Sequence, residues 1–252
     1  PNGQAMKASF PFSDLKKGSS APTQKTHPPA KISLSKGDSL RLLLWLMAKA
    51  VIFSALPFVL LIRGAVYLYN ILHFSPWLAL IGGMLCSATI LMLYFAYIQY
   101  SWTQSFSFSL KRKYFIAFVL VMVYCLPAVF YLHPINAKYT SVQDEFTSLH
   151  PILRLGVSTL IFLDKDLLIT DANRLPEDYK RMGLATKKHS LHYIQSTGYS
   201  HAIDLRTNGR SAIRNWLVLK YFEWMGFNTL RHVGTADHLH ISICSHDNPR
   251  AI

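Results

Sequence analysis

Residues 77–100, WLALIGGMLCSATILMLYFAYIQY, carry no charged side chain. A helix that is apolar on every side has no face to show to water. About twenty such residues, rising about 1.5 Å each, match the roughly 30 Å hydrocarbon core of a bilayer. Trp77 stands at one end and Tyr97 and Tyr100 at the other, where amphipathic rings anchor a span among the headgroups. The stretch therefore predicts a membrane-crossing helix. Its glycine pair, Gly82-Gly83, suits either a close helix crossing or the general tolerance of glycine in membrane helices.

Two neighbours read the same way. Leu42 to Leu72 is mostly apolar, interrupted by Lys49, Pro57 and Arg63, and contains a span with one of the two cations snorkelling to headgroups. Tyr114 to Leu132 is the third. Three such runs exceed what a 252-residue globule can cover. Residues 41–133 are thus expected to form a three-helix transmembrane region.

Charge follows the same division. The net charge is +13, yet up to Phe130 there are 12 Lys and Arg against 2 acids, and beyond it 14 against 11. The excess flanks apolar runs, so membrane topology accounts for it and nucleic-acid binding is not expected. Residues 1–40, rich in Lys, Ser, Pro and Gly, read as a flexible basic tail. The tail and Lys111-Arg112-Lys113 belong on the cytoplasmic side, and the uncharged turn near His73 on the other. Three crossings then carry everything beyond His133 out of the cytoplasm, which makes this an inner-membrane, multi-pass protein. Cys86, Cys125 and Cys244 imply no disulfide framework.

The outer part has a polar connector, 134–149, and a compact region, 150–252, with signals of both helix and strand. His150 to Leu163 reads as a helix merging into an extended stretch, Leu167 to Thr170 as a short strand, and Pro176 as a helix start. Ile213, Trp216, Leu217, Lys220 and Trp224 recur at helical spacing over 210–225 and end at Gly226. That pattern predicts an amphipathic helix with both tryptophans in the core. Asn228 to Arg231 and Asp237 to Cys244 read as strands. The expected fold is α+β: three transmembrane helices, then a small extracytoplasmic domain with an antiparallel sheet.

Chemistry concentrates in three words of that domain: Ser190-Leu191-His192-Tyr193, Ala202-Ile203-Asp204-Leu205 and His238-Leu239-His240-Ile241. Two imidazoles and a carboxylate are what zinc needs if its fourth position is to stay open. These words, with a helix ending at Gly226-Phe227 and a terminal His-Leu-His strand, resemble the zinc peptidases that include lysostaphin-type enzymes, D-Ala-D-Ala metallopeptidases and the hedgehog signalling domain. The resemblance covers roughly residues 150–245.

The resemblance implies zinc on His192, Asp204 and His240, and His238 as an imidazole beside the reacting oxyanion. Where such enzymes place a Glu base shortly before the last ligand, this chain has Asp237. His192 and Asp204 are also farther apart than is usual, so residues 194–200 must bulge out, and His201 is an alternative first ligand. Arg206 and Arg174 are candidates to hold a substrate carboxylate, and Lys187-Lys188 a candidate electropositive rim. The expected activity is hydrolysis of peptidoglycan stem peptides by a membrane-anchored zinc peptidase. The alternative is a catalytically silent, zinc-stabilised binding domain.

Overall fold

The computed structural model describes residues 36–104, 109–181, 183, 189–234 and 237–249. Most of the basic tail and the Lys187-Lys188 pair lie outside the described residues. Residues 46–252 pack as one compact unit.

Among the described residues three helices are long and apolar enough to cross a membrane: α1 (Lys36–Asn70), α2 (Pro76–Thr103) and α3 (Leu110–Phe130). Of the two readings of the glycine pair, close crossing holds for Gly83. A Cβ there would run into the Leu61 carbonyl and the Ala65 side chain of α1. The end of α1, the start of α2 and the end of α3 meet at one end of the bundle. There Trp77 stacks on Phe130 with ring centroids 5.8 Å apart, and its indole N–H donates to the Tyr199 hydroxyl at 2.9 Å.

Beyond α3 the chain makes a short helix, α4 (Thr140–Glu145), and then α5 (Pro151–Leu163). The sequence suggested that α5 merges into an extended stretch, but it is helical throughout and runs antiparallel beside α3. Arg154 donates to the Val129 carbonyl at 3.1 Å, and the hydroxyls of Tyr124 and Thr159 meet at 2.7 Å. On the side away from α3 the Tyr221 hydroxyl donates to the Gly156 carbonyl at 2.8 Å, and Leu153, Leu155, Val157 and Leu160 are buried. Each such side chain contributes about 1.5–3 kcal/mol on burial. The 150–252 region is therefore continuous in packing with the helices, not a lobe hung from a connector.

The sheet is antiparallel, in the order β1 (Ile169–Asp171), β2 (Ala202–Arg206), β4 (His238–Ser242), β3 (Asn228–His232). Between its strands lie α6 (Pro176–Arg181) and α7 (Ala212–Met225). Ser211 caps α7 by accepting from the Arg214 N–H. Gly226 ends it at φ 92°, a left-handed conformation that favours glycine. Alternation along the strands gives the sheet two faces. Ile203, Leu205, Leu239 and Ile241 join the core, while Asp204, His238 and His240 line the other side.

Candidate metal centre

Register builds the centre. Asp204 on β2 lies directly opposite His240 on β4, and Arg206 opposite His238. In an antiparallel pair such residues share a face, so the carboxylate and both imidazoles arrive together as a consequence of strand pairing.

His192 comes from a turn, not a strand. The Tyr193 N–H returns to the Ser190 carbonyl at 3.1 Å, and the Ser190 hydroxyl lies 2.8 Å from that of Tyr179 on α6. The Arg174 N–H donates to the His192 carbonyl at 3.1 Å, and the His201 N–H to the Leu191 carbonyl at 2.7 Å. The excursion expected at 194–200 is present and closes on itself. Ile194 bridges Ser200, Gly198 takes φ 80°, and Ser196 is tied to Asp247.

Three buried donor atoms converge. His240 Nδ1 is 2.9 Å from Asp204 Oδ1, His192 Nε2 is 3.2 Å from His240 Nδ1, and His192 Nε2 is 3.4 Å from Asp204 Oδ1. Among the described residues this is the one group of His, Cys, Asp and Glu arranged to hold a metal ion. An ion bound tetrahedrally at about 2.0–2.1 Å keeps its donors about 3.3–3.4 Å apart. The observed triangle departs from that by less than half an ångström, so these residues fit a zinc-sized ion without rearrangement. The outer nitrogens, His192 Nδ1 and His240 Nε2, are buried without a hydrogen-bond partner. Backbone placement, not hydrogen bonding behind the rings, therefore aims these imidazoles.

Arg174 was expected to meet substrate, but it serves the carboxylate. It donates to Asp204 Oδ2 at 2.7 Å and is also bonded to Asp171. One Asp204 oxygen is thus occupied, leaving Oδ1 for the centre. Burial pushes the Asp204 carboxyl up, but the His192 and His240 imidazoles outweigh it and hold it well below its ordinary value. Burial also raises Asp171, with His192 and Arg174 partly offsetting it. Asp171 pairs with Asp204 in register, and nothing in the sequence beyond its place just after the Leu167 to Thr170 stretch marks it for that role.

His238 stands on the same face as the triad, with Nε2 3.7 Å from Asp204 Oδ2 and its ring stacked on His232. Arg206 is exposed on the same face, opposite His238. Asp237 is engaged elsewhere. Its carboxylate receives two hydrogen bonds from Arg231, at 2.9 and 2.8 Å, and one from Thr207 at 2.8 Å. Arg231 pairs with Leu239 and so belongs to the opposite face of the sheet. Hydrogen bonds from Arg231 and Thr207 hold the Asp237 carboxyl below its ordinary value. In this arrangement Asp237 is not delivered to the triad.

His201, the alternative ligand, belongs to a second imidazole cluster. Its Nε2 lies 2.7 Å from the Thr197 hydroxyl and its Nδ1 3.0 Å from the Cys244 carbonyl. Around it, Tyr69 at the end of α1 touches His150 edge-on and stacks on His246. Burial lowers His150 far below the usual imidazole value and His201 to about 4. His192 is thus the imidazole that the fold brings to Asp204 and His240.

Comparison with family models, with curated proteins and with solved structures finds no match to this chain.

Proposed function

We propose that this chain is a membrane-anchored zinc peptidase acting on the stem peptides of peptidoglycan, with His192, Asp204 and His240 holding the ion. The observation that carries the reading is the triangle of buried donor atoms, 2.9, 3.2 and 3.4 Å on its sides. Support for a peptide substrate comes from the likeness of the three sequence words to zinc peptidases. Support for an extracytoplasmic site comes from the flanking charges of the three apolar helices.

A zinc ion held here supplies Lewis acidity toward a peptide carbonyl and toward water. Arg174 neutralises the buried Asp204 and fixes which oxygen faces the ion. His238 handles the proton, because it is close to Asp204 on the open face whereas Asp237 is committed to Arg231 and Thr207. An imidazole can both accept and return a proton, as amide hydrolysis requires. Arg206 offers a planar pair of donors to a substrate carboxylate at the rim.

The test uses the full chain in lipid nanodiscs with zinc and muropeptides. The expected result is about one zinc per chain and release of D-Ala or splitting of cross-links. Asp204→Ala should abolish both, and His238→Ala should slow cleavage with metal retained. A wild-type chain that binds no metal would end the proposal. Metal retention with no cleavage would favour the silent binding domain, the reading to which the engagement of Asp237 lends weight.

A further inference from the structure

The apolar stripe that helical spacing assigns to the core is the outward face of α7. Ile213, Trp216, Leu217 and Trp224 are 72%, 55%, 54% and 70% exposed, whereas Val218, Phe222 and Met225 form the buried side. A soluble domain seldom leaves two tryptophans and two aliphatics in one exposed row without a partner for it.

The position of α7 identifies that partner. The Arg63 guanidinium donates to the Trp224 carbonyl, and a Cβ on Gly226 would stand 3.1 Å from Val66. Both Arg63 and Val66 belong to the span that ends at Asn70. At 1.5 Å per residue, Arg63 lies about 10 Å inside that end. The contact between Tyr124 and Thr159 is likewise about 9 Å inside the end of α3 at Phe130. Thus α5 and α7 flank the spans and do not stand clear of them.

The charges on α7 tolerate such a place. Arg214 pairs with Asp164 and Asp166 at 2.5 and 3.0 Å, and Lys220 with Glu223 at 2.6 Å. Long basic side chains can also lay their stems on apolar surface with the head toward water. Tryptophan is the residue enriched at this depth.

We propose that the outward face of α7 lies in the boundary between headgroups and acyl chains of the bilayer that α1, α2 and α3 cross. The sheet region is thereby seated in the membrane surface by its own helix, independently of any metal or catalytic role.

Nitroxide labels at Ile213→Cys, Leu217→Cys and Trp224→Cys test this, each in a full chain lacking Cys86, Cys125 and Cys244 and held in phosphatidylcholine nanodiscs. A label at Asn208, exposed in a turn, is the aqueous reference. Collision with oxygen should exceed collision with a water-soluble nickel chelate several-fold relative to Asn208. Ratios equal to Asn208 would overturn the proposal, and low collision with both agents would overturn it in favour of a protein partner. If the cysteine-free chain fails to fold, the native-cysteine chain gives a second reading. The emission lost in Trp224→Phe should be the part quenched by nitroxide-bearing lipid and spared by acrylamide; the reverse pattern would overturn the proposal.

Discussion

The candidate metal centre and the cluster at the end of α1 both bury imidazoles, but they differ in what faces the rings. In the first, two ring nitrogens turn toward one carboxylate that Arg174 holds from behind. In the second, His201 faces a hydroxyl and a carbonyl, and His150 is closed in by the Tyr69 and His201 rings with neither nitrogen hydrogen-bonded. The first has the composition of a ligand set. The second is neutral packing that burial keeps unprotonated. Histidine content alone does not distinguish them; the carboxylate in strand register does.

The largest effect that separates the two is metal occupancy. Asp204→Ala should drop zinc from about one per chain to near zero by elemental analysis, while His201→Asn leaves it unchanged. Loss of zinc in His201→Asn would collapse the distinction.

Acid stability comes next. The folded value of His201, about 4, lies below its unfolded value near 6.5. The unfolded chain therefore binds the proton first as pH falls. The neutral-state stability is intact above about pH 6.5 and declines toward pH 4, by on the order of 3 kcal/mol for this group. Thermal unfolding of the full chain at a series of pH values should show that decline, and His201→Asn should lessen it while the buried His150 keeps the remainder.

A smaller change is expected behind the carboxylate. Arg174→Met should weaken zinc binding about 10–100-fold, the usual cost of removing the group that steadies a ligand, as read by competition with a chelator. The smallest belongs to Asp237→Asn, which should leave zinc affinity and the pH profile of any cleavage where they were. A shifted profile would return Asp237 to the site.

Much of this architecture was legible because strong local signals coincide with tertiary need. The three apolar runs appear as α1, α2 and α3, and His192, Asp204 and His240 come together as the resemblance implies. Gly226 ends α7 where a left-handed residue is required. What failed was direction. Periodicity shows that one side of α7 is apolar, but not whether that side meets protein or something else, so it puts Trp216 and Trp224 in a core that Val218 and Phe222 supply. Asp237 is a matter of direction too. It stands one residue out of phase with His238 and His240, so strand alternation turns it to the opposite face, where Arg231 holds it.

The packing of α5 against α3 also decides how this protein can be handled. Cutting the chain after His133 to obtain a free-standing C-terminal fragment would strip away the Val129 carbonyl that receives Arg154 and the Tyr124 hydroxyl that meets Thr159. The fragment would carry a raw greasy flank and a guanidinium short of one acceptor into solution, and clumping of such a piece would reflect the cut, not the chemistry of the sheet.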